Sequence, residues 1–252
     1  MARLFGLSRS NGLDRVGLEG NEMTLIDEGL RQVRPVAKGP NLFSLIFGIF
    51  LRLIVPVAAI SGVFFAAFWG MSFYVTSFDV FPLEQWYLNP GYWLTYGHLI
   101  LPGVFVILNL VNRRFGPGLT IGAIVFSWLV LLGGLIWAVN YFGFSVVEGR
   151  LASLTMAASF MGALFTGQLV CTYSFDRLRG IPWWHAPFYG SLLGGLVFAF
   201  LFYGQMSFGA QEPWANRIVV AFSVQIAWAF VGLVPYQLMR GFVRPLPGFG
   251  GA

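Results

Sequence analysis

The sequence predicts an all-helical, polytopic integral membrane bundle of six transmembrane helices. The chain has 252 residues, of which 57% are hydrophobic and only 10% are charged, whereas soluble domains average about 25% charged residues. Its mean hydropathy is +0.74. Six apolar stretches each approach the ~20 residues with which a helix crosses about 30 Å of hydrocarbon. The core of a soluble chain of this length could not bury so much apolar surface.

The six apolar stretches form the predicted transmembrane domain, residues 53–238. They are Leu53–Tyr74, Tyr92–Val111, Leu119–Phe142, Ala152–Cys171, His185–Tyr203 and Ile218–Leu238. Backbone groups in lipid must form their hydrogen bonds within their own segment, so each stretch is expected to be a helix. Strands of a membrane barrel would need ~10-residue segments of alternating character. These stretches do not alternate, so a barrel is not expected.

The distribution of basic residues predicts the orientation of the bundle. With the N-terminus inside, the loops and tail on the inner side hold Arg113, Arg114, Arg177, Arg179, Arg240 and Arg244. The outer loops then hold only Arg150 and Arg217, together with Asp79, Glu84, Glu148 and Glu212. Because cytoplasmic loops carry the excess of Lys and Arg, both termini are predicted to be cytoplasmic, and the expected location is the bacterial inner (plasma) membrane. The basic residues form no dense stripe, so nucleic acid is not an expected partner.

Residues 1–40 are predicted to form a polar cytoplasmic arm, and residues 239–252 a short cytoplasmic tail. The arm ends in Arg31, Arg34 and Lys38, immediately before the first apolar residues. Basic residues at this place attract anionic headgroups by roughly 1 kcal/mol each. Two interpretations remain open, a positive-inside anchor that binds membrane lipids and a docking arm for a membrane protein partner.

Residues 41–52 are predicted to lie along the inner membrane interface, because the apolar run up to Tyr74 exceeds one bilayer thickness. A charge at mid-membrane costs at least about 2.5 kcal/mol, which places Arg52 at the inner boundary. Pro56 is then expected in the first turn of the first span, where a missing N–H group is tolerated. A single long tilted helix is the alternative.

Several tryptophans mark predicted contacts with lipid or with another protein. Trp183 and Trp184 fall near the inner interface, as in an aromatic belt. Trp86 lies in the outer loop 76–91, which reads TSFDVFPLEQWYLNPG. This loop is too apolar to be freely solvated, so it is expected to lie on the membrane surface or to contact a membrane protein partner.

Small residues recur at spacings that favour close packing of helices. Gly118 and Gly122 are four residues apart, and so are Gly190 and Gly194. In the fourth span, a face of Ser153, Ala157, Ala158 and Gly162 is expected to pack within the bundle. Lipid tails give helices no hydrophobic reason to associate, so close backbone contact at small residues is a main source of attraction.

The chain offers little for catalysis, and no metal or cofactor is predicted. Its two histidines, His98 and His185, are placed near opposite sides of the bilayer, too far apart to hold one haem iron. No nucleophile-and-base pair, HExxH motif or phosphate-binding loop is present. The segment from Asp176 to His185 is the one place where an enzyme using a bound cofactor or lipid could have its site.

Polar residues inside the spans are few and uncharged, and Gln225 with Ser223 is the predicted pair near mid-depth. These two residues could line a path for a neutral solute, since ion coupling normally places ionisable groups inside the bundle. The favoured prediction is a non-catalytic membrane subunit or assembly and scaffold factor of a larger complex. The alternative is a transporter or channel for a neutral or weakly polar small solute, which the division into three plus three spans also suits.

Overall fold

The fold was analysed in a computed structural model, which describes residues 41–79, 82, 89–142, 154–180, 182–207 and 214–247. The chain divides into two compact units, residues 1–47 and 48–252. Throughout the described ranges the structure is helical, apart from short turns and one isolated bridge between Tyr74 and Thr95. The prediction of an all-helical chain is therefore confirmed for these ranges.

The described residues form seven α-helices of unequal length. They are α1 Leu42–Gly70, α2 Tyr96–Ile100, α3 Gly103–Phe142, α4 Leu154–Arg177, α5 His185–Ser207, α6 Trp214–Val231 and α7 Leu233–Arg240. By length and composition, four described stretches are able to cross a membrane: Leu42–Gly70, Tyr96–Trp137, His185–Gln205 and Arg217–Arg240. Four such stretches indicate a multi-pass membrane protein.

Helix α1 begins eleven residues before the predicted start at Leu53 and runs without interruption from Leu42 to Gly70. At 1.5 Å per residue its 29 residues extend about 43 Å, more than the hydrocarbon thickness. The prediction that Pro56 lies in the first turn is wrong, since Pro56 is inside this helix. The side chain of Arg52 is exposed. The placement of residues 41–52 along the inner interface stays a prediction.

Helix α3 reverses direction at Gly116, where φ is 79° and ψ is 176°. Two contacts with α4 require this reversal. Asn109 lies beside Cys171, and Trp128 is hydrogen-bonded to Gln168. A straight helix would separate Asn109 from Trp128 by about 28 Å, whereas their partners on α4 are only about 4.5 Å apart along the helix axis. Residues 103–115 and 117–142 therefore form a helical hairpin, and glycine permits the positive φ at its turn.

Consecutive long segments alternate in direction. The second half of α3 runs parallel to α1, because Ser127 contacts the carbonyl of Val57 and Gly134 lies against Phe65. Helices α4 and α5 run antiparallel, with Gly194 beside Cys171 and Gly167 beside Phe198. In α5 and α6, which are also antiparallel, Phe188 meets Phe230 with ring centroids 4.9 Å apart, and Gly195 meets Gln225.

Prolines explain two helix boundaries that the hydrophobic pattern does not mark. Between α2 and α3 the helix is interrupted at Leu101–Pro102, and between α6 and α7 at Gly232. Proline has no N–H group with which to bond the carbonyl four residues before it. Pro102 and Pro235 therefore leave the carbonyls of His98 and Val231 without their usual helical donor.

Helices α4 and α5 pack closely through glycine residues. The carbonyl oxygen of Gly194 would be 2.6 Å from a Cβ atom built on Gly167, and the Cβ of Cys171 would be 2.7 Å from one built on Gly194. Packing through Gly190 and Gly194 is thus confirmed. The predicted face that includes Gly162 is not confirmed at that residue, because no heavy atom of a described residue lies within 4 Å of a Cβ built there.

Replacing Gly167 by alanine is expected to lower the free energy of unfolding by about 1–3 kcal/mol, the usual effect of overpacking. The added methyl group would meet backbone atoms of α5, which cannot move as a side-chain tip can. Gly162→Ala, five residues earlier on the same helix, has open space and is expected to be neutral or slightly stabilising. Unfolding in mixed micelles with increasing dodecyl sulfate measures the free energy of unfolding of both variants. Equal stabilities of the two variants would contradict the packing.

Candidate functional site

Uncharged polar side chains are buried in the interior of the helices. Those with relative exposures of 7% or less include Ser61, Asn109, Asn112, Thr120, Ser127, Gln168, Thr172, Ser191 and Gln225. Thr120, Ser127 and Thr172 donate to carbonyls of their own helices. The side-chain amides of Asn109, Asn112 and Gln168 instead form bonds to other helices. An amide of this kind could hold a polar solute only through an atom that these bonds leave unused.

Gln168 is fully buried on α4 and accepts a hydrogen bond from the indole nitrogen of Trp128 at 2.9 Å. An indole N–H only donates, so the amide oxygen of Gln168 must face Trp128. The amide nitrogen, Nε2, then points elsewhere and has no hydrogen-bond partner among the described residues. Leaving a buried donor unsatisfied costs about 1–3 kcal/mol. Gln168 therefore presents an unused donor inside the bundle.

A second polar group joins three helices near Gln168. Asn109 on α3 donates to the carbonyl of Pro187 at 3.0 Å and to the hydroxyl of Ser191 at 2.8 Å, both on α5. The thiol of Cys171 on α4 lies 3.3 Å from the amide oxygen of Asn109. Every polar atom of the Asn109 side chain is thereby used, so this group orders the helices and leaves no donor for a ligand.

Gln225 is 5% exposed and its side chain packs directly over Gly195 on α5. Gly167, next to Gln168 in sequence, packs on the adjacent Gly194. The two glutamines therefore lie on α4 and α6 at one level along α5. The predicted pair of Ser223 and Gln225 is not brought together, since Ser223 is exposed and donates to the carbonyl of Val219 in its own helix.

Charged residues concentrate at the helix ends near Gly116. Arg179 donates to the side-chain oxygen of Asn112 at 2.6 Å, to its backbone carbonyl at 2.5 Å and to Asp176 at 2.8 Å. The Arg179 side chain is 17% exposed. These bonds tie the end of the first α3 segment to the end of α4. Asp176, at one end of the segment considered for an enzyme, is thus engaged in an ion pair.

The residues predicted to bind lipid or a partner are only partly described. Arg31, Arg34, Lys38 and Trp86 lie outside the described residues. Trp183 packs beneath the guanidinium of Arg240, 5.7 Å from the ring centroid. Trp184 is 36% exposed and contacts the rings of His185 and Tyr189. Of the outer loop 76–91, the described ends are joined by a 2.7 Å bond from the Gly91 N–H to Asp79.

The two histidines lie far apart. His98 accepts the backbone N–H of Thr95 and packs near Trp93, which in turn contacts Tyr203. Tyr203 and His185 are eighteen residues apart on α5, a separation of about 27 Å. His185 contacts Trp184 and Tyr189 at the opposite end. The two imidazoles therefore cannot share one metal ion.

Sequence reasoning missed Gln168 and its partner Trp128. The sequence did not single out either residue, because position within an apolar stretch does not show which helix face is inward. The spacing of Gln168, Cys171 and Thr172 was a usable signal, since residues three and four apart share one helix face. All three are buried and contact α3.

Comparison of the chain with protein-family models, curated proteins and solved structures finds no match.

Proposed function

We propose that this protein transports a small, uncharged or weakly polar solute across a membrane, and that Gln168 and Gln225 contact the solute. The observation that carries this proposal is the buried amide nitrogen of Gln168, which has no hydrogen-bond partner in the part of the chain that the structure describes. A solute with a hydrogen-bond acceptor would satisfy that donor. Its binding would offset the about 1–3 kcal/mol that an unsatisfied buried group costs.

The chemistry of the interior supports an uncharged solute. The buried polar groups described around α5 are amides, hydroxyls and a thiol. A charged solute in a low-dielectric interior would need a counter-charge beside it. Amides of the kind found at Gln168 and Gln225 provide both donors and acceptors without charge. Such groups suit a neutral solute that exchanges its bonds to water for bonds to the protein.

The proposed arrangement has six spans with both termini in the cytoplasm of a bacterial cell. The reversal at Gly116 would divide Tyr96–Trp137 into two spans, and α4 would supply another. Alternating helix directions then place Arg113, Arg177 and Arg240 at one end. The positive-inside bias assigns this end to the inner face.

Labelling single cysteines is expected to show this arrangement. In a Cys171→Ser background, Ser77→Cys should react with a membrane-impermeant maleimide in intact cells, because Ser77 belongs to the proposed outer loop. The side chain of Arg177 is exposed, but a cysteine introduced there as Arg177→Cys should react only after permeabilisation. Reaction of both sites from the same side would contradict the six-span topology.

Native mass after gentle detergent extraction tests the proposal against the subunit interpretation. The transporter is expected as a monomer or homo-oligomer, with thermal stability raised by some members of a panel of uncharged amides, polyols and sugars. The subunit or scaffold interpretation depends on the arm and the outer loop, most of which lies outside the described residues. Stoichiometric partner chains, together with no stabilising solute, would reject the transport proposal.

A further inference from the structure

We propose that Trp93, His98 and Tyr203 form a binding site for an uncharged, planar carbonyl compound of the quinone class. The three side chains lie together near the end of α5 that is remote from His185. The inference concerns ligand binding at residues other than Gln168 and Gln225, so it goes beyond the proposed transport function and does not depend on it.

Trp93 joins the other two rings of the site. Its ring centroid lies 6.1 Å from that of His98 on α2 and 5.9 Å from that of Tyr203 on α5. Both contacts are T-shaped, with interplanar angles of 82° and 70°. Trp93 itself lies between the short turn Pro90–Tyr92 and α2. Three separate elements therefore bring these rings within reach of one small molecule.

The indole nitrogen of Trp93 is a buried donor that has no hydrogen-bond partner in the described ranges of the chain. An indole N–H can only donate, and a buried donor without an acceptor is unfavourable. The indole of Trp228 differs, because it donates to the carbonyl of Leu99 at 2.6 Å. The Trp93 ring as a whole is only partly buried, so we expect its side chain to turn Nε1 toward a ligand on binding.

The bonds made by His98 determine which of its nitrogens is a donor. The backbone N–H of Thr95 donates to Nδ1 at 3.2 Å, and the Thr95 hydroxyl lies 2.8 Å from the same atom. Because Nδ1 accepts a hydrogen bond it carries no proton, and the ring is a neutral imidazole with its proton on Nε2. The second N–H donor of the site is therefore Nε2 of His98.

These donors and rings define the chemistry of the ligand. Two N–H groups need acceptors, and a carbonyl oxygen accepts without donating. Aromatic walls favour a planar ligand that stacks or makes edge contacts. The three side chains carry no formal charge in this state, so an uncharged ligand fits. A quinone has two carbonyl oxygens on a planar ring, has no donor, and dissolves in the hydrocarbon of a membrane.

Thermal unfolding of the full chain in dodecyl maltoside tests the site with matched probes. Duroquinone is a fully methylated benzoquinone, and durene has the same methyl groups on a benzene ring without carbonyl oxygens. Nicotinamide offers a ring-bound carbonyl from the water phase. We expect a saturable rise in melting temperature with duroquinone and none with durene. Saturation by nicotinamide as well would support the same site for water-soluble carbonyl compounds, whereas saturation by nicotinamide alone would overturn the quinone class.

Trp93→Phe and His98→Asn each remove one donor from the site. Phenylalanine keeps an aromatic ring but has no N–H group. Asparagine can place an oxygen near the position of Nδ1, where it can accept the Thr95 N–H, but it has no atom at the position of Nε2. Each substitution should raise the duroquinone concentration at the midpoint about tenfold, the effect of losing one hydrogen bond. His98→Asn covers the case in which Trp93→Phe does not fold.

Trp228→Phe is the matched control, since it removes an indole N–H that already has a partner. It should lower the melting temperature without ligand, because the carbonyl of Leu99 loses this donor, and should leave the duroquinone midpoint unchanged. Absence of saturation with duroquinone, equal saturation with durene, or wild-type midpoints in both Trp93→Phe and His98→Asn would overturn the proposal. Equal weakening in Trp228→Phe would likewise overturn it.

Discussion

Solute uptake is expected to fall at least about tenfold when Gln168 is replaced by leucine, which corresponds to the loss of one hydrogen bond to the solute. Leucine keeps much of the buried volume but removes both amide atoms. The solute loses the donor Nε2, and the indole of Trp128 loses its acceptor at 2.9 Å. An unsatisfied indole should also lower the free energy of unfolding by about 1–3 kcal/mol. Uptake into proteoliposomes, normalised to folded protein, separates the two effects.

Thr166→Val is the matched control for Gln168→Leu. Thr166 is two residues away on the same helix, is exposed, and donates to the carbonyl of Gly162. This variant should retain wild-type uptake. Gln225→Leu should abolish uptake if both glutamines contact the solute. Wild-type uptake by folded Gln168→Leu would remove this residue from the solute path.

Replacing Arg179 by methionine is expected to lower the free energy of unfolding by about 2–4 kcal/mol. Arg179 is mostly buried and holds two oxygens of Asn112 as well as Asp176. Its removal leaves these acceptors without their donor, the situation in which hydrogen bonds to charged groups have their largest effect. Unfolding in mixed micelles with increasing dodecyl sulfate is the measurement.

Arg177→Met provides the comparison for Arg179→Met. Arg177 is exposed and bonds to Tyr173 one turn earlier in its own helix, an arrangement that contributes about 0–1 kcal/mol. A double-mutant cycle with Asn112→Ala should show coupling of at least about 0.5 kcal/mol with Arg179→Met and none with Arg177→Met. Equal losses in the two arginine variants would contradict the role assigned to Arg179.

Hydrophobic pattern predicted the helices well because apolar length is a direct physical requirement for crossing a bilayer. The predicted fifth span begins at His185, as α5 does. The pattern failed at the start of α1, because residues 42–52 are as apolar as the span that follows. It also did not predict the interruption at Gly232, which depends on the missing N–H group of Pro235 rather than on hydropathy.

The polar interior was less predictable, because it depends on which helices meet. Gln225 was expected inside the bundle and is 5% exposed there, whereas its predicted companion Ser223 faces outward. Two residues apart on a helix point about 200° from each other, so the pair could not have shared one face. Gln168 emerges as a candidate only through Trp128, forty residues away in sequence.

Uptake by liposomes that contain this chain alone tests the proposed function most directly. The measurement follows isotope-labelled uncharged amides, polyols and sugars in wild-type, Gln168→Leu and protein-free liposomes. Transport predicts saturable uptake of at least one solute by the wild type, reduced about tenfold or more in Gln168→Leu. No uptake above protein-free liposomes for any solute that stabilises the folded protein, or undiminished uptake in Gln168→Leu, would contradict the account.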